Sequence, residues 1–514
     1  MIVPKDMTRP VEFLGDHVFS LLSRAALSSG IPAWVVGGYV RDCYLGRGNK
    51  DVDVVVKGDP SVFASALSSI LSEGGKRTKV TEYTSTGTLL VRVGGYEVEI
   101  VPTRAGALRR GQNYVPGMEL PPLEVDQSLR DLTINSMALG LGKDDWGRLY
   151  DPYGGLADLA RGILRTPVDA HRTFMDDPLR MVRAARFAST LSTPSLPFTL
   201  DEATHGAVFD LAPSISDIPV ERVRAELDRI LLSPVPSIGF RVLDATGLLR
   251  YIMPEVCRLK GVQTVEGRGH KDIFAHTLGV LDNVASIESG MMERGELRDY
   301  RTLPDGTVES CPRTEPNLYL RWAALLHDIG KPATKKYDPQ RGWTFMGHPS
   351  VGAKMVKRIF TSLKLPLDDR MAYVTKLVFL HHRPMCLSQE EVTDSAIRRL
   401  LFDAGNDIDD LMVLCDSDIT SKNPRKVAMI RENFELVREK LQLVEQKDAL
   451  RNWKNPLDGN YIMDVYGIGP SNVIGLIKEA VKEAILDGKV EYSFEAADAY
   501  MREIAPSLGL VARK

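Results

Sequence analysis

Two aspartates at the start of an apolar run are the residues best suited to chemistry. Asp51 and Asp53 are separated by one residue and lead directly into three valines. Because alternate side chains of a strand lie on the same face, both carboxylates would point into one site. Two like charges held that close repel each other, and a bound divalent cation relieves the repulsion. The spacing therefore predicts a metal site.

A glycine pair stands just before these aspartates. Gly37 and Gly38 follow the apolar run 33–36 and precede a polar segment with helical character. Glycines at the start of a helix leave backbone N–H groups accessible, and these groups bind phosphate oxygens well. Together with the aspartates, the glycine pair predicts a pocket for a metal and a nucleoside triphosphate.

A third carboxylate is available on a predicted hairpin. Residues 87–101 read as two strands joined by Gly94 and Gly95, and Glu97 and Glu99 would share one face of the second strand. We favour Glu99 as the third acid of the site, while the alternative is that both glutamates face solvent. Beyond the hairpin, Arg130 can clamp triphosphate oxygens and Asn135 can bond a sugar oxygen.

Composition sets limits on the class of protein. The chain has 514 residues, 44% hydrophobic and 26% charged, which suits several well-packed globular domains. The net charge of −3 means that a nucleic-acid partner must bind a local basic patch. Five scattered cysteines argue against a disulfide framework and a zinc finger. We find no signal peptide or membrane-spanning run and expect a cytoplasmic protein without a membrane partner.

The pattern of elements divides the chain. Strand and helix signals alternate from 31 to about 142, after an amphipathic helix predicted over 11–29. Residues 104–127 are rich in Gly, Pro and charge and read as a long loop beside the site. Later, the polar stretch 289–316 reads as an exposed insertion.

Six motifs carry a resemblance to a known family. They are GGYVRD (37–42), KDVD (50–53), EIVPTR (99–104), LRDLTINSMAL (129–139), DPYGGLADL (151–159) and DDPLRMVRAARFAS (176–189). In order and spacing they resemble the class II tRNA nucleotidyltransferases, which include CCA-adding enzymes and bacterial poly(A) polymerases of the DNA polymerase beta superfamily. Two departures are Leu129, where the family usually has arginine, and Asp176, where it more often has glutamate.

The resemblance implies an α+β nucleotidyltransferase head, with a mixed sheet and helices, followed by an all-α neck, an HD domain and a tail. Asp51 and Asp53 would bind two magnesium ions, with Glu99 as the further catalytic acid. Asp177 and Arg180, placed three apart on one helix with Arg183 and Arg186 along the same ridge, would read the base; the alternative is a surface ion pair. The nucleotide-binding set would comprise Gly37, Gly38, Arg41, Asp42, Arg130, Asp131, Asn135, Asp177, Arg180, Arg183 and Arg186.

Histidines mark a second constellation. Six of the nine fall between His270 and His382, and the tetrapeptide HDIG occupies 327–330. This part resembles the HD phosphohydrolase domain, in which imidazoles and carboxylates hold a divalent metal. By that resemblance the metal set is His276, His327, Asp328 and Asp418, and His348 and His381 could hold a second ion. Asp416 competes with Asp418, and a degenerate, structural HD fold is the alternative to a metal site.

These observations predict four domains: a head (1–155), a neck that selects the base and binds tRNA (156–260), an HD domain (261–430) and a helical tail (431–514). The expected activity is addition of CCA to the 3' end of tRNA from CTP and ATP without a nucleic-acid template, beside an HD phosphohydrolase. The alternatives are a poly(A) polymerase, a partial CC- or A-adding enzyme, and a nucleotide-sensing HD regulator. The oligomeric state is left open.

Overall fold

The computed structural model describes residues 6–73, 80–83, 88–104, 119–265, 268–270, 272–302, 308–387, 393–420, 423–448 and 455–511. The chain forms two compact units. The first contains residues 1–227 and 238–252, and the second contains 228–237 and 253–514.

The first half of the chain begins with mixed elements and continues with helices. In chain order they are α1 (His17–Ser29), β1 (Ala33–Val36), α2 (Gly38–Tyr44), β2 (Asp51–Val56), α3 (Pro60–Glu73), β3 (Val80–Tyr83), β4 (Thr88–Val93), β5 (Tyr96–Pro102), α4 (Leu123–Ser128), β6 (Ala138–Gly140), β7 (Leu149–Tyr150), α5 (Gly155–Arg161), β8 (Ile163–Leu164), α6 (Ala170–Asp176), α7 (Leu179–Leu191), β9 (Thr199–Leu200), α8 (Glu202–Leu211), α9 (Val220–Leu231), α10 (Pro236–Ala245), α11 (Leu249–Ile252) and α12 (Pro254–Cys257).

A seven-stranded sheet organises the first unit. Its strand order is β3-β4-β5-β2-β1-β6-β7, and β2 and β5 form the parallel pair in an otherwise antiparallel arrangement. The buried residues of β1, β2, β4 and β5 pack with α1 and α3 in one hydrophobic cluster. The predicted mixed sheet with helices is confirmed, as is the hairpin β4–β5 with its Gly94-Gly95 turn.

Two predicted segments differ from the structure. The helix expected over 11–29 is interrupted: a short 3-10 turn at Val11–Leu14 is followed by α1, which begins at His17. The loop expected over 104–127 ends in the helix α4, whose Asp126 and Gln127 are almost completely buried. Gln127 donates to the backbone carbonyls of Ser136 and Tyr150, and this fixes the helix where periodicity gave no signal. Residues 105–118 lie outside the described part.

The rest of the chain is mainly helical. Its elements are β10 (Thr264–Val265), β11 (Arg268–Gly269), α13 (Ile273–Glu293), β12 (Arg298–Thr302), β13 (Val308–Pro312), α14 (Leu318–Leu326), α15 (Lys331–Thr334), β14 (Lys336–Asp338), β15 (Gly342–Thr344), α16 (His348–Ser362), α17 (Asp369–Leu380), α18 (Arg383–Leu387), α19 (Asp394–Ala404), α20 (Ile408–Ser417), α21 (Pro424–Asp448), α22 (Gly459–Tyr466), α23 (Asn472–Leu486) and α24 (Phe494–Ile504).

Within the described residues, the regions predicted as helical also contain four short two-stranded sheets, which we call ribbons. They pair β8 with β9, β10 with β11, β12 with β13, and β14 with β15. The segment 289–316, predicted as an exposed insertion, is the end of α13 followed by the ribbon β12–β13. Arg313 after this ribbon is buried and bonded to Asp410 at 2.7 Å, so long-range ion pairing orders a sequence that reads as polar and irregular.

Across the described ranges, every helix is too short or too polar to span a lipid bilayer.

We predict that Gly155→Ala destabilises the first unit. A Cβ at Gly155 would lie 2.2 Å from the Thr133 carbonyl oxygen, so α5 could not keep its packing. Such overpacking costs about 1–3 kcal/mol in free energy of unfolding, to be measured by urea titration with circular dichroism. Gly206→Ala is the matched control, because Gly206 in α8 has nothing within 4 Å of the added carbon. Equal effects of the two substitutions would contradict this account.

Candidate functional site

An acidic face lies on the central strands of the sheet. The parallel pairing of β2 with β5 sets Asp53 opposite Glu99 and Asp51 opposite Glu97, so all four side chains project from one face. Burial raises the pKa of Asp53; Arg130 and Arg104 oppose this rise, and Asp51 adds to it. Burial, Asp53 and Asp51 raise the pKa of Glu99. This concentration of negative charge fits divalent cations.

The two glutamates of β5 have different surroundings. Glu97 accepts a hydrogen bond from Arg92 Nε at 2.7 Å, whereas Glu99 carries the repulsion from both aspartates. Glu99, predicted as the third acid, is thus the glutamate of this face whose pKa the two aspartates raise, and its role stays a prediction.

Gly37 brings the predicted phosphate site to the acidic face. It has φ of 75°, and a Cβ there would lie 3.0 Å from Arg130 Nη1 and 3.4 Å from Asp53 Oδ2. Arg130 is oriented by the buried Asp126, which accepts from its Nη2 at 3.1 Å. A bare backbone, a fixed guanidinium and an aspartate thus meet at one point, an arrangement suited to a triphosphate chain with its cation.

A chain of buried polar side chains supports the glycine pair. Arg41 donates to Asp42 at 2.9 Å and to the Asn135 side-chain oxygen at 2.6 Å, and Asn135 donates to Asp131 at 3.0 Å. A Cβ at Gly38 would lie 3.6 Å from Arg41 Nη2. The amide of Asn135, predicted to bond a sugar oxygen, is used on both sides by protein partners.

The network of polar side chains around Asp131 extends to helix α7. Arg183 Nη2 lies 2.6 Å from Asp131 Oδ2, and Arg186 Nε lies 2.6 Å from a carboxylate oxygen of Glu226 on α9. Burial alone would raise the pKa of Asp131, but Arg183 and Asn135 lower it to about 2. Arg183 and Arg186, predicted to contact nucleotide, therefore hold α7 against Asp131 and α9.

Asp177 and Arg180, predicted to read the base, do not lie on one helix. Asp177 precedes α7 in an extended conformation and is not part of that helix, because Pro178 interrupts the segment. Its buried carboxylate lies 3.4 Å from Arg222 Nη2. Arg180 donates from Nη2 to the Leu129 carbonyl at 2.6 Å and from Nη1 to the Thr173 carbonyl at 3.3 Å. Both side chains are thus held at the start of α7.

The histidines and aspartates predicted for the second site lie close together in the structure. Among described residues, only two sets of three or more potential ligands bring one atom each within 4.8 Å of one another. The sets are His276, His327 and Asp418, and Asp328, His348 and His381. Asp328 joins them, because its Oδ2 lies 3.3 Å from His327 Nε2 and its Oδ1 lies 3.3 Å from His348 Nε2.

The histidines present their Nε2 atoms to the centre. The Nδ1 atoms of His327, His348 and His381 lie 2.7 to 2.8 Å from backbone carbonyls of Ala324, Phe345 and Val378. A carbonyl only accepts, so each Nδ1 carries the proton and each Nε2 is left with a lone pair. This is the tautomer that a metal ligand requires.

The charge state of the cluster also fits a metal. Burial together with His327 lowers the pKa of His381 to about 3, which keeps this imidazole neutral. Burial alone would raise the pKa of Asp328, but His327, His276 and His348 hold it well below its usual range. His327 Nε2 and Asp328 Oδ1 are buried, and the polar atoms facing them at 3.3 Å belong to other potential ligands of the cluster. A divalent cation would satisfy both atoms.

Asp418, rather than its neighbour Asp416, belongs to this cluster. Asp418 lies 2.9 Å from His276 Nε2, whereas Asp416 pairs with Arg438. The glycine of HDIG allows the approach of α16: a Cβ at Gly330 would lie 2.3 Å from the His348 carbonyl. Sequence reasoning missed Lys331, whose Nζ lies 2.5 Å from Asp328 Oδ2; its position directly after HDIG was the available signal.

Three parts of the chain match known protein families. Residues 33–165 match the family described as "Poly A polymerase head domain", 197–259 match "Probable RNA and SrmB- binding site of polymerase A", and 273–421 match "HD domain". An "A-adding tRNA nucleotidyltransferase" of Deinococcus radiodurans is 32% identical over 473 residues, which cover 90% of this chain and 94% of the relative.

The chain belongs to the class II tRNA nucleotidyltransferase family.

Other members of this tRNA nucleotidyltransferase family are also similar. A "Multifunctional CCA protein" of Vibrio parahaemolyticus is 31% identical over 349 residues, which cover 65% of this chain and 71% of the relative. A solved CCA-adding enzyme with CTP has a TM-score of 0.61 at 19% identity and covers 99% of this chain and 100% of its own. That structural likeness concerns the fold, and it agrees with a mixed-sheet head followed by helical domains.

For the HD cluster of this tRNA nucleotidyltransferase we predict stable retention of a transition metal. After incubation with Ni²⁺ and desalting, the wild-type protein should keep the ion, because a buried set of imidazoles and carboxylates binds nickel well. His327→Ala should retain at least about tenfold less, since a central ligand is lost. The matched control is the exposed His17→Ala, which should retain wild-type amounts. Elemental analysis gives the readout, and equal nickel content in all three proteins would exclude the site.

Proposed function

We propose that the head transfers nucleotides from CTP and ATP to the 3' end of tRNA, completing CCA without a nucleic-acid template. One observation carries this proposal: Gly37 lies against both Arg130 and Asp53, on the face that also carries Glu99. A triphosphate bound to the glycine and arginine would have its phosphorus atoms beside the carboxylates. Membership of the tRNA nucleotidyltransferase family supplies the RNA substrate.

In the proposed reaction, the 3'-hydroxyl oxygen of the RNA forms a bond to the α-phosphorus. The bond from that phosphorus to the α–β bridging oxygen breaks, pyrophosphate departs, and the hydroxyl proton passes to solvent. Asp51, Asp53 and Glu99 would hold two magnesium ions, whose chemistry is to acidify the hydroxyl and neutralise the departing charge. Arg130 binds the triphosphate and limits its rotation, which favours in-line geometry.

Base choice is assigned to Asp177 and Arg180. A carboxylate accepts and a guanidinium donates, so the two side chains can pair with the Watson–Crick edges of cytosine and adenine. Three contacts hold these side chains. Arg222 donates to Asp177, and Arg180 donates to the carbonyls of Thr173 and Leu129. Rigid support suits a reading surface that replaces a template base.

A second candidate is addition of the terminal A only. It is favoured by the Deinococcus relative, which spans nearly the whole chain and is named A-adding. Residues 105–118 of the predicted loop beside the site lie outside the described part, so the structure does not bear on this choice there. Incubating the protein with tRNA that ends at the discriminator base, or at CC, separates the candidates: CCA addition extends the first substrate with CTP, and A addition extends only the second.

The HD cluster is proposed to be a metal-dependent phosphohydrolase. Six ligand groups lie close together, and three of the histidines carry the Nδ1–H tautomer that leaves Nε2 able to bind a metal. In the hydrolysis, a water oxygen bonds to phosphorus as the ester P–O bond breaks, and the leaving alcohol oxygen receives the proton that the water loses. Lys331 beside Asp328 would bind a phosphate oxygen.

We predict that Asp53→Asn and Glu99→Gln each reduce nucleotide incorporation by about 10²- to 10³-fold, because each removes a charge that faces the reacting phosphates. Glu97→Gln is the matched control on the same strand face, where Arg92 already neutralises the carboxylate. Incorporation of labelled CTP and ATP into truncated tRNA gives the rates. A Glu97→Gln defect as large as that of Glu99→Gln would refute the assignment of the third acid.

We predict that Asp177→Ala relaxes base choice more than it slows phosphate chemistry. Loss of a paired hydrogen-bonding group costs about 1–3 kcal/mol in discrimination, or about 5- to 150-fold in the ratio of CTP to UTP incorporation. Asp176→Ala serves as the adjacent control, because that side chain is exposed. If both variants choose nucleotides as the wild type does, Asp177 does not read the base.

A further inference from the structure

A small cavity opens beside the histidine–aspartate cluster. It has a volume of about 260 Å³ and is lined by Ile273, His276, Lys331, Phe345 and Asp418. Two of these residues belong to the metal set, and Lys331 adds a cation that is bonded to Asp328. Pockets that enclose a whole drug-sized ligand measure about 300–1,000 Å³. The cavity therefore suits a phosphate with an adjoining sugar, and the rest of a larger ligand would lie outside it.

Aromatic rings continue from the cavity onto the ribbon β14–β15. Phe345, in the cavity wall, has its ring centroid 5.8 Å from that of His270, which is 5.5 Å from Trp343. Trp343 in turn is 5.3 Å from Tyr337 across the ribbon. We call Tyr337, Trp343, Phe345 and His270 the aromatic rim. All four are partly exposed, so the rim forms a row of rings that leads away from the metal cluster.

Cations accompany the rim. Lys335 Nζ lies 4.6 Å from the Trp343 ring centroid, and Lys331 Nζ lies 5.8 Å from that of Phe345. Lys336 and Arg341 are exposed on the ribbon itself. Asp338, the acid of the ribbon, is used to accept from the backbone N–H groups of Gln340 and Arg341. The surface next to the cavity is therefore aromatic and positively charged.

We propose that the aromatic rim binds the last nucleotides of a single-stranded RNA and delivers their terminal phosphate ester to the HD cavity. Rings that alternate with cations match a strand in which flat bases alternate with phosphates. A free phosphate monoester would use the cavity alone and would gain nothing from Trp343. This proposal rests on the phosphohydrolase function proposed above and adds its substrate class and the residues that select it.

The test compares two substrates on the full-length protein: a hexaribonucleotide that ends in a 3'-phosphate, and 4-nitrophenyl phosphate. Stacking on an aromatic side chain is worth about 1–3 kcal/mol per base, so Trp343→Ala should raise KM for the hexamer about 5- to 150-fold. Its kcat on the hexamer, and both constants on 4-nitrophenyl phosphate, should not change. Trp343→Phe should restore most of the hexamer KM, and the exposed Phe494→Ala should have no effect.

Binding provides a readout that does not depend on hydrolysis. Fluorescence anisotropy of the labelled hexamer, with EDTA present, should show weaker binding to Trp343→Ala than to Phe494→Ala. Equal binding to the two variants, or an equal loss of activity on both substrates, overturns the proposal. If the wild-type protein hydrolyses neither substrate, the phosphohydrolase function fails, while the anisotropy still decides whether the rim binds RNA.

Discussion

The ion pair between Asp131 and Arg183 holds the head site together. Asp131 follows the arginine that faces Gly37, and Arg183 belongs to the helix that begins just after Asp177. Asp131 is buried and Arg183 half-buried, so the pair depends on further partners: Asn135 donates to Asp131 at 3.0 Å, and a Glu226 carboxylate oxygen lies 3.9 Å from Arg183 Nη1. This ion pair therefore links the segment that carries Arg130 to the helix that begins just after Asp177, and so connects the proposed phosphate-binding and base-reading residues.

The two candidate cation sites differ physically. In the head, acidic side chains share one strand face, and burial, with repulsion from the neighbouring aspartates added, raises the pKa of Asp53 and Glu99. Such a face suits hard ions that keep part of their water and move with the substrate. In the HD cluster, buried imidazoles are locked by backbone carbonyls before any ion arrives. Such a preformed set suits an ion that stays resident.

Much of this arrangement could be predicted from sequence, where local patterns determine it. The alternation in β2 and β5 placed Asp51, Asp53 and Glu99 on one face, and the resemblance to the HD domain named the six residues that the structure brings together. Segments fixed by distant partners could not be predicted. Helix α4 depends on hydrogen bonds from Gln127 to β7 and its surroundings, and the ribbon β12–β13 precedes Arg313, whose partner Asp410 lies 97 residues away. Likewise, the ion pairs of Arg183 and Arg186 follow from the fold and not from their spacing.

Arg180 is anchored by main-chain oxygens, and this has a consequence for how the sequence can vary. The carbonyl of Leu129 accepts its hydrogen bond, so the side chain at that position is irrelevant to the anchor. A leucine at position 129 is therefore compatible with the position of the Arg180 guanidinium. The hydrogen bond depends on the position of a main-chain oxygen. Most point substitutions change a side chain and leave the backbone path unchanged, so they would preserve this contact.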